Sequence, residues 1–328
     1  MPLSLDFAFE GFRIIREKPK LILFWGLVLL IGGTLSQVLM VAIAGPDFER
    51  MQALGPERML AAMSNPTPDA GTMAMAQNIS IAFAAAVPIL LITSAILSCA
   101  VFRATWIQGS GGTQGSGGTQ GSRGTHGSDG TGARVDDRLG YLRVGIDEVR
   151  QLLVTIFYCG LAMALIVADS IVSDLVASVA GGPVVATALS LAGLVVVALL
   201  LVRLSLCGVQ SFDRKKIDVF GSWTLTSKQG WTLLGGYIVT GVMTAFVYLL
   251  CTGIFGAFIV AVNGAQWTAV NHLVNKDATS MQAYFTPLTI AWTVIGNMLV
   301  SPLLVALMTG AQAAAYRTLA GQIPDSGI

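Results

Sequence analysis

Six apolar stretches, each close to or longer than the roughly 20 residues a helix needs to cross a bilayer, dictate most of what this chain can become. They lie at Leu21–Ala44, Ile79–Phe102, Leu152–Val172, Pro183–Val202, Trp231–Val262 and Pro287–Gln312. Hydrocarbon offers no partner to a backbone amide, so such segments must satisfy their hydrogen bonds internally, as helices do. Only 11% of the residues are charged, against about 25% in soluble domains. The expected fold is an all-α integral membrane protein with six transmembrane helices. The first run is too long for the ~7–15-residue apolar core of a signal peptide, and reads as a span.

Basic residues orient the spans. Four Lys and Arg precede the first span, six lie between the second and third, five between the fourth and fifth, and one follows the sixth. Those sixteen of 19 share one side; Arg50, Arg58 and Lys276 fall on the other. The positive-inside rule then places both termini in the cytoplasm.

Three segments align ahead of the odd-numbered spans: "FEGFRIIREKPKLIL" from Phe9, "LGYLRVGIDEVRQLL" from Leu139 and "FGSWTLTSKQGWTLL" from Phe220. Large apolar residues recur at Phe9, Phe12 and Ile14, at Leu139, Leu142 and Val144, and at Phe220, Trp223 and Leu225. A spacing of three puts the first two of each set on one helix face. Each segment reads as a short amphipathic helix in the membrane plane, leading into a span. The even-numbered spans close alike, with Phe102/Arg103, Phe212/Arg214 and Tyr316/Arg317, and Pro88 and Pro302 each stand 14 residues before the closing aromatic of their span. The chain thus divides into three parallel repeats of in-plane helix plus helical hairpin: residues 1–106, 136–214 and 215–328, with a linker at 107–135.

That linker contains "GSGGTQGSGGTQGSRGTHGSDGTG", Gly109 to Gly132, with 11 glycines in 24 residues. A phosphate loop of the GxxxxGK[ST] kind needs a lysine, and this tract has none. A dinucleotide fingerprint needs a strand before it and a helix after it. Gly/Ser-rich sequence buries too little apolar area to offset ordering entropy, so the tract reads as a flexible cytoplasmic coil.

Two groups of polar residues stand out within the spans. Arg203, at the inner end of the fourth span, reads as snorkelling to the interface. The alternative is that Arg103, Arg203, Arg214 and Arg317 form a ring at the cytoplasmic boundary, where guanidinium groups can grip phospholipid phosphates. Asn297, Ser301, Thr309 and Gln312 form a candidate polar stripe on the sixth span, suited to interhelical hydrogen bonds or to lining a cavity. Pro302 should kink that span and free a carbonyl for a hydroxyl such as that of Ser301. Asp169 and Asp174 read as solvated carboxylates at the outer end of the third span.

Little points to catalysis. There is no GxSxG or HExxH motif, and the two histidines, His126 and His272, lie in the glycine tract and an outer loop. Cys99, Cys159, Cys207 and Cys251 occupy apolar runs without paired spacing, as small buried hydrophobes do. Met51, Met59, Met63, Met73 and Met75 crowd the first outer loop, Gly45 to Asn78, without Cys or His, so no metal and no cofactor is expected. A net charge of +1 provides no field for nucleic acid. The expected partners are membrane lipids and a protein partner of unspecified identity.

The motifs "DDRLGYLRVGIDEVRQLL", "VRLSLCGVQSFDRKK" and "FGSWTLTSKQGWTLL" resemble those of uncharacterised bacterial multi-spanning proteins related to the membrane domain of glycerophosphodiester phosphodiesterases. The resemblance is best over Asp136 to Leu234. It implies the membrane portion alone, because the catalytic barrel with its histidine and carboxylate cluster is absent. It also implies the bacterial cytoplasmic membrane. A non-enzymatic lipid-associated or scaffolding role is expected, with a permease for a small or lipidic solute as the competing class.

Overall fold

The computed structural model describes residues 5–64, 69–111, 141–180, 183–227, 229–263 and 280–321. Every regular element among them is helical. A 3-10 turn at Leu5–Phe9 leads into α1 (Glu10–Glu17), and α2 (Lys20–Ser64) and α3 (Ala70–Gly111) make the first hairpin. The second hairpin is α4 (Ile146–Ala180) with α5 (Pro183–Leu204), extended by the short α6 (Cys207–Arg214). The third begins with α7 (Gly221–Thr226) and α8 (Gly230–Asn263). It returns through α9 (Met281–Tyr284), α10 (Pro287–Ile295), a π-turn (Gly296–Val300) and α11 (Ser301–Ala320).

Six of these helical stretches are long and apolar enough to cross a membrane, and no more than 22% of the residues in any of their apolar windows are buried. Leu23, Leu27, Ile31 and Leu35 recur every fourth residue along α2 and stand about half exposed or more. A spacing of four keeps them on one face. Water would expel such a stripe, whereas lipid solvates it. Hydrocarbon is the environment these surfaces fit.

The two buried clusters lie at one end of the bundle, here termed the foot, where the six apolar stretches end at Lys20, Trp106, Ile146, Arg214, Gly230 and Ala320. One cluster joins Phe7, Phe102, Val209, Phe212, Leu233 and Tyr316. The other joins Ile14, Trp25, Leu97, Val101, Tyr141 and Ala306. Helices meet most within the first two hairpins, α2 with α3 and α4 with α5, and the sixth span meets α2, α3 and α8.

Three features of the foot depart from the repeat pattern. In the first unit, α1 packs against α11 so closely that Gly310 and Gly11 meet backbone to backbone, a Cβ at Gly310 lying 3.0 Å from the Gly11 Cα. In the second unit the expected in-plane helix is absent from Tyr141 to Gly145, and α4 starts only at Ile146. Tyr141 there has φ of 61°, a conformation that non-glycine residues seldom adopt. It is held by burial, by Arg103 donating to its carbonyl at 3.2 Å, and by Lys18 donating to its hydroxyl. In the third unit, α7 turns its polar residues Ser222 and Thr226 inward and leaves Phe220 and Trp223 outside.

Other expectations change as well. The first outer loop shrinks, because α2 continues to Ser64 and α3 begins at Ala70. The equal spacing of Pro88 and Pro302 is not matched by equal geometry: α3 runs continuously through Pro88, whereas a π-turn precedes Pro302. Asp169 is not at a helix end, since α4 continues eleven residues to Ala180. Its carboxylate packs where a Gly193 side chain would stand, ten residues into α5. Residues 112–140, which hold most of the glycine tract and His126, and residues 264–279, with His272, lie outside the described residues.

Candidate functional site

Arg203 is in the last turn of α5, where helix carbonyls lose their intrahelical donors. Beyond it, "LSL" breaks the span: the Ser205 amide and hydroxyl both donate to Val202 O, at 3.3 and 2.7 Å, before α6 resumes at Cys207. The Arg203 carbonyl accepts instead from Ser222 Oγ at 3.1 Å and Thr226 Oγ1 at 3.3 Å. This explains the inverted amphipathicity of α7, whose polar face caps α5.

The same docking puts the Trp223 ring under the Arg203 guanidinium, 4.8 Å from the ring centroid. Cation–π contact of this kind contributes about 0.5–2 kcal/mol, more as water is removed. Val196, Leu199, Leu200 and Trp231 complete a groove of about 240 Å³, with Arg203 at its head. No anionic group pairs with Arg203 among the described residues.

The other three arginines are engaged by the chain itself. Arg103 is nearly buried and contacts Glu148 Oε1 at 2.5 Å and Asp147 Oδ2 at 3.8 Å. Asp147 in turn binds Arg150 at 2.9 Å and Lys215 at 2.9 Å. Arg103 and Lys215 both lie over the Phe212 ring, at 5.6 and 4.4 Å. Arg214 pairs with Asp218 at 3.0 Å, and Arg317 donates to the Thr105 carbonyl at 3.0 Å. The four arginines share the foot, but three of them have partners within the protein, Arg214 with its side chain still half exposed. The sequence offered a signal for this in the adjacent acids Asp147 and Glu148 at the start of α4.

The polar stripe of the sixth span divides. Asn297 and Ser301 face a cavity of about 140 Å³ between α8 and the sixth span, and Thr309 and Gln312 do not line it. The π-turn positions them. Ser301 N–H donates to Gly296 O, five residues back, in the widened turn just ahead of Pro302. Proline lacks an N–H and its ring crowds the carbonyl four residues earlier, here Met298. That carbonyl settles against Gly26 of α2 rather than on a hydroxyl, and a side chain at Gly26 would overlap it. The Asn297 amide nests against Gly33, with Nδ2 3.1 Å from where a Cβ would stand.

Across the cavity, α8 contributes Tyr248 and Thr252, and α10 adds Thr293. Sequence reasoning missed all three, since isolated hydroxyls in apolar spans usually bond their own helix. Among the described residues no group of three His, Cys, Asp or Glu side chains gathers as a metal site would require. No family model, curated protein or solved structure matches the chain.

Proposed function

We propose that this is a non-enzymatic multi-pass protein of the bacterial cytoplasmic membrane that holds anionic phospholipid at its foot. We read its work as lipid or envelope organisation, or as a scaffold for a protein partner. The foot faces the cytoplasm in this reading, as the distribution of Lys and Arg favours. The three hairpins are parallel copies of one unit whose lead-in segments diverged, and the resemblance to the membrane domain of glycerophosphodiester phosphodiesterases supports the same role without hydrolysis.

One observation carries the reading: Arg203 stands over Trp223, without an anionic partner among the described residues, at the head of an apolar groove. A phosphate on the guanidinium and an acyl chain along Val196, Leu199 and Leu200 would fill that groove. Native mass spectrometry of protein released in minimal detergent should show stoichiometric anionic phospholipid. Charge-assisted bonds of ~1.5–3 kcal/mol imply that Arg203→Gln lowers its retention roughly tenfold or more. Equal retention in the variant would refute the site.

Orientation has its own test. A reporter active only outside the cytoplasm should stay silent when fused after Ile328, and activity there would invert the topology. The competing reading, a permease for a small or lipidic solute, is favoured by the cavity at Asn297.

A further inference from the structure

The cavity at Asn297 is built from two matched rows. On α8, Thr244, Tyr248 and Thr252 recur every fourth residue, and Thr293, Asn297 and Ser301 do so on the sixth span. A spacing of four keeps each row on one helix face, and five of the six side chains line the same 140 Å³ space. Thr244 extends its row one turn toward the foot, and its hydroxyl is buried without a hydrogen-bond partner. No hydrogen bond among the described residues engages the side chains of the other five. Asn297 is ten residues from the start of α10 at Pro287, about 15 Å along the helix, which is half the thickness of a hydrocarbon core.

Uncommitted polar groups at that depth are costly unless something meets them. The chemistry of the lining restricts what that is. No Asp, Glu, His, Lys or Arg side chain borders the cavity, so it offers no counter-charge to an ion. Hydroxyls and an amide each donate and accept, so a ligand that also does both, as alcohols do, complements the lining most fully. A cavity of ~150 Å³ accepts benzene, so this one has room for about six non-hydrogen atoms.

We propose that these facing rows bind a small uncharged diol or triol inside the membrane. Its source is either a free polyol such as glycerol or the glycerol moiety of a neutral lipid. The inference is independent of Arg203, which lies at the foot.

Two probes separate the sources. Full-length protein in mixed micelles containing dioleoylglycerol is examined by native mass spectrometry, and free glycerol is followed by saturation-transfer NMR. A saturable one-to-one complex with dioleoylglycerol alone assigns the lipid source, and saturable transfer to glycerol assigns the free polyol. In either case binding should weaken roughly tenfold in Asn297→Leu and also in Thr252→Val, which removes a hydroxyl from the opposite wall while keeping the side chain's shape. Arg203→Gln should leave it unchanged. Absence of binding by both probes, or equal binding in wild type and Thr252→Val, would overturn the proposal.

Discussion

Replacing Glu148 with alanine should lower the stability of the folded protein by about 3 kcal/mol. Breaking one side of a buried ion pair leaves a charge without compensation, at a typical cost of ~3–5 kcal/mol. The Glu148 side chain is 5% exposed and that of Arg103 11%, so water cannot replace the lost partner. The lower end of the range applies because Arg103 keeps the Tyr141 carbonyl at 3.2 Å and Asp147 at 3.8 Å. Glu148 has a second task. Its Oε2 accepts from the Gly145 N–H at 2.8 Å, closing the first turn of α4 as the glutamate of a capping box does. Lys215→Ala is the contrast: its side chain is more than half exposed, and exposed pairs contribute about 0–1 kcal/mol. Unfolding in detergent monitored by circular dichroism should separate the two variants clearly. Similar midpoints would mean that Glu148 and Arg103 are solvated.

Gly26→Leu should be at least as damaging. Even a single methyl group there would overlap the Met298 carbonyl oxygen and crowd the Met298 Cα, and both are backbone atoms that no rotamer change can move. Overpacking costs about 1–3 kcal/mol when side chains can adjust, and more when they cannot. Small residues let helix backbones approach within membranes, and Gly26 does so for a carbonyl that Pro302 has displaced. Gly235→Ala, at a position where a Cβ meets nothing, should be neutral or mildly stabilising. Melting curves that coincide for Gly26→Leu and Gly235→Ala would mean that α2 and the sixth span do not touch in the membrane.

What could be read in advance follows from range. Runs of apolar residues are a local property, and Leu21–Ala44 or Trp231–Val262 announce a helix whatever else the chain does. The lead-in segments show where local pattern stops. Phe220 and Trp223 share a face as the spacing requires, but Ser222 and Thr226 are drawn inward because the end of α5 presents an unsatisfied carbonyl. That demand arises from an element nineteen residues earlier, and periodicity does not contain it. Tyr141 is similar, since burial and its bonds to Lys18 and Arg103 override the helix its neighbours suggest.

The site was legible by halves for the same reason. Asn297 and Ser301 stand out because polar residues are scarce in spans. Their separation from Thr309 and Gln312 is one of depth: Thr309 lies two turns beyond Ser301 in the same helix, about 12 Å nearer the foot. Thr244, Tyr248 and Thr252 have the spacing of a lining, but only the position of the sixth span gives them something to face.

The contact between Gly11 and Gly310 bears on how the protein is made. α1 packs against α11, a helix synthesised about 300 residues later. Until the sixth span is inserted, Gly11 lacks the backbone it packs against, while Ile14 already shares a cluster with Trp25, Leu97 and Tyr141 and Phe7 already meets Tyr237. The face of α1 that meets α11 stays incomplete until then. Long-range closure of this kind is slow and exposes apolar surface meanwhile. An amphipathic α1 that rests on lipid meanwhile keeps that surface from water until the sixth span arrives.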